Sequence, residues 1–211
     1  MAYTPAFRPR DGGDVSFIAR NHPQQVKTRG ALSSVDDRAT TWEVFNPLHE
    51  RFKFTIDVAA SADNAKLPRY FTAEVNGLEQ SWAGERVWCN PPYSDIRPWV
   101  EKAWREYEPG QAELIVMLVP ANRTEQPWWQ EEIEPWRDSP VSSASRHDPK
   151  LKRRLFGLDV EFLAGRVRFL APGTAEIKPN ARPPFGCCLL IWGGWNAREI
   201  LTTVDHGTAG T

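Results

Sequence analysis

Arg86-Val87-Trp88-Cys89-Asn90-Pro91-Pro92-Tyr93 is the stretch that decides the architecture. Its first four residues read as a short buried strand. Pro91 and Pro92 end it, because a proline has no amide to give to a sheet ladder. Downstream, Ile96, Trp99, Val100, Ala103, Trp104 and Tyr107 recur at helical spacing. They predict an amphipathic helix over 94–107, capped by Ser94 or Asp95, with Pro98 tolerated in the first turn and Pro109-Gly110 as the stop. Leu114-Ile-Val-Met-Leu-Val119 follows as a continuous apolar run, the pattern of a parallel strand buried on both faces, and ends at Pro120. Strand, helix and strand in this order predict an α/β fold: a largely parallel central sheet with helices on both faces.

The same reading extends outward. Trp42, Phe45, Leu48 and Phe52 predict a helix over 42–52 with Pro47 inside it. The run from Phe54 to Ala60 reads as a buried strand ending near Asp57, and 61–84 as mostly loop. Residues 159–170 read as a C-terminal hairpin turning near Ala164-Gly165, and 186–192 as a further strand. Residues 1–37, rich in Pro, Gly, Ser, Asp and Arg, read as a flexible arm. Residues 38–205 are expected to form a single domain, with 122–158 as an insertion on the substrate side and 206–211 as a tail.

Composition narrows the function. Among 211 residues, 26 Lys and Arg balance 27 Asp and Glu, a net charge of -1. That balance excludes binding of nucleic acid by bulk positive charge. With 41% hydrophobic and 25% charged residues the chain is in the range of ordinary globular domains. The ten Trp are expected mostly in the core, with some at a ligand surface. The three Cys include the adjacent Cys187 and Cys188 and show no C-x-x-C spacing, which argues against a disulfide framework and a zinc site and fits a reducing cytoplasm. His22, His49, His147 and His206 have no ligand spacing, so no metal is expected. The first residues lack the apolar core of a signal peptide, and the longest apolar run, Cys187 to Trp192, is too short to cross a bilayer.

Chemistry concentrates at Asn90-Pro91-Pro92-Tyr93. Open α/β sheets bind ligands outside the carboxyl ends of their strands, where this tetrapeptide is expected. The Asn90 amide oxygen and the Pro91 carbonyl suit the two hydrogens of an exocyclic amine, and Tyr93 offers a face for a planar base. A proline-rich turn with a buried tyrosine is the alternative. Residues 125–138 carry a local charge of -4, whereas 146–154 carry +4 through Arg146, Lys150, Lys152, Arg153 and Arg154 against Asp148. The basic segment reads as a phosphate contact or as a solvated loop. Trp128 and Trp129 read as flanking DNA or as a helix packed on the sheet.

The ordered set of motifs resembles the phage-type DNA N6-adenine methyltransferases, the Dam-like family. The resemblance runs from about Asp36 to Trp192. It is carried by Phe52-x-Phe54-x-Ile56-Asp57-x-Ala59-Ala60, Asn64-Ala-Lys66, Arg69-Tyr-Phe-Thr72, Val87-Trp-Cys-Asn-Pro-Pro-Tyr-Ser94, Leu118-Val-Pro120-Ala121, Trp128-Trp129 and Phe162-x-x-Gly165-Arg166-x-x-Phe169. Two departures stand out: Arg38 and Thr40-Thr41 replace the usual Trp-x-Thr-Pro, and Asp57-Val-Ala-Ala60 stands where most S-adenosylmethionine enzymes have a Gly-rich loop.

The resemblance implies a Rossmann-like class I methyltransferase fold. It also implies methyl transfer from S-adenosylmethionine to N6 of an adenine flipped out of double-stranded DNA, as in restriction-modification systems, by a phage- or prophage-encoded enzyme in the bacterial cytoplasm. Asn90, Pro91, Pro92 and Tyr93 are then the catalytic residues. Asp57, Thr40, Asp63 and Asn64 are the cofactor residues, and Arg146, Lys150, Lys152, Arg153, Arg154 and Arg166 the DNA contacts. Methylation of RNA adenine or protein glutamine, and a catalytically silent DNA-binding module of the same fold, are the alternatives.

Overall fold

The computed structural model describes residues 39–107, 111–137, 158–170 and 185–193. The elements follow in the order β1 (Ala39–Thr40), α1 (Trp42–Phe52), β2 (Ile56–Asp57), β3 (Arg86–Cys89), α2 (Arg97–Tyr107), β4 (Leu114–Pro120), α3 (Pro127–Glu132), β5 (Leu158–Phe162), β6 (Phe169–Leu170) and β7 (Cys187–Trp192). Five strands form one sheet in the order β2-β3-β4-β7-β5. β2, β3 and β4 pair in parallel, whereas β7 lies antiparallel between β4 and β5. The sheet is therefore mixed: four strands share one direction and β7 opposes them. Apolarity on both faces fixes burial but not direction, which is why the sequence of β7 did not reveal its sense.

The period-two alternation of side chains divides the core into two layers. Leu114, Val116 and Leu118 of β4 join Cys187, Leu189 and Ile191 of β7 under Phe45, Leu48 and Phe52 of α1. Ile115, Met117 and Val119 join Cys188, Leu190 and Trp192 under Val100, Ala103 and Trp104 of α2 and Trp128 and Trp129 of α3. Helices thus cover both faces, as expected. Trp82, Trp88, Trp104, Trp129 and Trp192 are fully buried, so tryptophan is here mainly a core residue. With Trp128 also buried, the Trp128-Trp129 pair packs on the sheet and is not placed to flank DNA.

Two expectations need correction. The helix expected from Ser94 begins at Arg97, and the Ile96 carbonyl accepts its first bonds from Trp99 and Val100. Ser94 and Asp95 belong instead to a turn in which the Asp95 amide donates to the Pro92 carbonyl at 3.2 Å. The 159–170 hairpin does not form either. Gly165, at φ 74°, does turn the chain, but β5 pairs with β7, and β6 crosses to pair with β1 (Thr40 opposite Phe169). Burial explains the choice: Val167 and Phe169 fill the layer under α1, a gain that a free-standing hairpin would forgo.

One glycine holds the end of β2 in place. A Cβ built on Gly77 would lie 2.1 Å from the Val58 carbonyl oxygen. The Gly77 carbonyl in turn accepts the indole N–H of the buried Trp82 at 3.0 Å. Gly77→Ala is expected to destabilise the protein by about 1–3 kcal/mol through overpacking, read as a lower Tm in a thermal melt.

Candidate active site

β2 and β3 deliver the site. Both are short and parallel, with Asp57 beside Trp88, so their carboxyl ends open at one edge of the sheet. Asp57 closes β2 and Asn90 follows directly on β3. β1 adds Thr40 from the side. A small cleft at this edge is lined by Ala39, Thr40, Asp57, Ala59, Asn64, Lys66, Trp88 and Asn90. Four residues singled out from the sequence, Thr40, Asp57, Asn64 and Asn90, therefore meet although up to fifty positions separate them.

Asp57 is the electrostatic centre. It is 3% exposed. Its two carboxylate oxygens accept the backbone amides of Lys66 at 3.1 Å and Ala59 at 3.4 Å. No basic side chain among the described residues lies within salt-bridge distance of it. Burial dominates the two hydrogen bonds and pushes its pKa up to about 6. Lys66, missed as a site residue, lines the same cleft with its ammonium 4.5 Å from the centre of the Trp42 ring. Burial lowers its pKa and Asp57 partly opposes that shift. Its place in Asn64-Ala-Lys66 was the available signal.

The remaining candidates separate clearly. Thr40 is 2% exposed, and its hydroxyl finds no hydrogen-bond partner among the described residues. The Asn64 side-chain oxygen accepts the Ser61 amide at 2.7 Å and shapes the loop wall of the cleft. Asp63, the neighbouring candidate, is exposed and does not line this cleft. Arg166 is exposed on the β5–β6 loop and is not part of this cleft. Arg146, Lys150, Lys152, Arg153 and Arg154, the arm 1–37 and the tail 206–211 lie outside the described residues.

The Asn90–Tyr93 turn is held from several directions. Its Pro92 carbonyl accepts the Asp95 amide, and its Tyr93 carbonyl accepts a guanidinium N–H of Arg123 at 2.6 Å. The Pro91 carbonyl takes no backbone amide of the described residues. The Tyr93 ring meets Phe169 edge-on at 6.0 Å and Phe185 at 6.1 Å. Its hydroxyl is turned inward against the Cys187 thiol, and burial holds its pKa well above the usual phenol value. The ring is thereby fixed, and only part of it remains accessible.

A family model for DNA N-6-adenine-methyltransferase (Dam) matches residues 27–209. The chain belongs to this family. Within it, the protein is 38% identical over 80 residues to a DNA N-6-adenine-methyltransferase of Haemophilus phage HP1, covering 37% of this chain and 46% of that relative. It is 35% identical over 88 residues to a DNA N-6-adenine-methyltransferase of Escherichia phage T1, covering 41% and 36%. The chain thus aligns with less than half the length of either curated relative. The Dam family match spans every residue of the cleft and the Asn90–Tyr93 turn.

Proposed function

We propose that this Dam-family protein transfers a methyl group from S-adenosylmethionine to N6 of an adenine in double-stranded DNA. The observation that carries the reading is the convergence of Asp57, Thr40 and Asn90 on one cleft at the carboxyl ends of β2 and β3, within a chain of this family. A Rossmann-like class I arrangement belongs to the same reading, since doubly wound sheets bind ligands at that edge.

The residues present suit this cofactor. S-adenosylmethionine carries a sulfonium and an ammonium. Asp57 is a buried carboxylate whose anionic form is destabilised by desolvation, and a bound cation relieves that cost. The unpartnered Thr40 hydroxyl is a ready hydrogen-bonding group in the same wall. Bound S-adenosylmethionine supplies an electrophilic methyl group.

The chain's own part is positioning. An adenine amine is a poor nucleophile because its lone pair is delocalised into the ring. Asn90 and the Pro91 carbonyl would accept its two hydrogens and favour a pyramidal nitrogen; as the N–C bond forms in line, the methyl–sulfur bond would break to leave a neutral thioether, and the nitrogen would then lose one proton. Reaching them requires the base to leave the duplex. Tyr93 lends the accessible part of its ring to the extruded base. Alignment of the two reactants supplies most of the acceleration. The described residues contain no group of three or more His, Cys, Asp or Glu arranged to hold a metal ion, and none of their helices is long and apolar enough to cross a membrane. Phage relatives support a phage-encoded enzyme, and action on DNA in the host cytoplasm belongs to the same reading.

The test is incubation with labelled cofactor and unmethylated DNA, RNA or protein in parallel, followed by nucleoside mass spectrometry. N6-methyladenine in DNA alone is the expected result, whereas label confined to RNA or protein rejects the reading.

The DNA contacts carry their own expectation. Neutralising Lys152, Arg153 and Arg154 together weakens DNA binding and flattens its salt dependence, because each lost phosphate contact lowers the slope by roughly 0.9. Cofactor affinity stays unchanged. A salt slope equal to that of the unmutated protein identifies the segment as a solvated loop.

A further inference from the structure

We propose that Arg123 is a positioning residue for methyl transfer, holding the Asn90–Tyr93 turn in its reactive shape through the Tyr93 carbonyl. The inference rests on the reading of that turn as the catalytic one. Arg123 lies three residues beyond β4, at the same sheet edge as Asn90. One guanidinium N–H donates to the Tyr93 carbonyl at 2.6 Å, across thirty positions of sequence. No carboxylate among the described residues forms a salt bridge with Arg123. Two surface arginines behave differently: Arg97 pairs with Glu131 at 2.7 Å and Arg137 with Glu134 at 2.9 Å. A half-buried guanidinium committed to a backbone carbonyl gives up part of its weak hydration for one charge-assisted bond, and the backbone it fixes is that of the turn.

The surrounding contacts show why this bond matters. The ring of Tyr93 is fixed by Phe169 and Phe185 and its hydroxyl faces Cys187, but these contacts grip only the side chain. The Asp95–Pro92 bond closes the turn around the Tyr93–Ser94 peptide, and the hold on that central peptide's own carbonyl comes from Arg123. Arg123 supplies that restraint from the end of β4, whose position is set by pairing with β3 and β7. The Pro91 carbonyl and Asn90 then keep a fixed relation to each other. Reorientation by about 1 Å at a reacting group costs up to roughly 100-fold in rate.

The experiment compares Arg123→Ala and Arg123→Lys with the unmutated protein in single-turnover methylation, cofactor calorimetry, DNA binding across a salt series, and thermal melts. Arg123→Ala is expected to lower the single-turnover rate by about 10- to 100-fold while KM and both affinities change little. Added guanidinium restores part of that rate in a saturable manner, and Arg123→Lys falls between the two. A salt slope reduced by about one with an unchanged rate would make Arg123 a phosphate ligand and overturn the proposal. So would a rate loss that follows the unfolded fraction and resists rescue. Absence of methylation by the unmutated protein sinks the parent reading as well, whereas full activity in both variants sinks only the role of Arg123.

Discussion

Asn90→Ala should almost abolish methyl transfer while leaving the fold, cofactor affinity and most of the DNA affinity intact. Asn90 follows the last residue of β3, is only partly buried and lines the cleft, whereas Val87, Trp88 and Cys89 before it carry the apolar packing, so truncation is expected to spare the core. Its proposed work is on the target nitrogen as that atom becomes pyramidal, so the interaction strengthens towards the transition state. Loss of such a group lowers kcat and kcat/KM together. The scale is roughly 3–4 kcal/mol, a factor of hundreds to about a thousand. Tyr93→Phe should be mild, since the ring contacts with Phe169 and Phe185 survive. Single-turnover methylation and a thermal melt on the same samples check both variants. Near-normal methylation by a folded Asn90→Ala protein removes the turn from the chemistry, and an activity loss that follows the unfolded fraction makes it a structural turn.

The parts of this site that were legible from sequence are those fixed by local rules. Two prolines end a strand wherever it runs, so the position of Asn90 was readable to the residue. The end of β2 near Asp57 was readable because a carboxylate interrupts the apolar run from Phe54 to Ala60 there. Pairing across long separations was less accessible. β6 has only Phe169 and Leu170, and nothing local states that its partner is β1 and not β5. Asp63 and Asn64 were equivalent as polar loop residues, yet only Asn64 closes the 61–64 turn and faces the cleft. Arg123 was missed because a single basic residue after a strand carries no periodicity. Its position at the carboxyl edge of β4 was the usable clue.

A second large effect is expected at Asp57, and pH is what distinguishes it from a structural role. Burial raises its pKa from 3.8 to about 6 in the folded protein. The folded state therefore holds a proton between these values that the unfolded chain has released. The sign follows: stability falls as pH rises from about 4 to 6, by about 3 kcal/mol at roughly 1.4 kcal/mol per pKa unit. Asp57→Asn removes this dependence, so the difference between the two denaturation profiles isolates the group. Cofactor binding runs in the opposite sense. A cationic ligand selects the ionised carboxylate, so affinity should fall about tenfold per pH unit below pH 6 and level off above it. Calorimetry in buffers of different ionisation enthalpy should show a proton released on binding near pH 5.5. In Asp57→Ala the affinity should drop by about 2–5 kcal/mol at pH 8, the scale for removing one partner of a buried charged contact, and its pH dependence should vanish. A folded Asp57→Ala protein with unchanged affinity would exclude Asp57 from the cofactor site. If the predicted trends hold, the cost of burying this carboxylate is a folding penalty that the bound cofactor offsets, so the cofactor's own charge stabilises the end of β2.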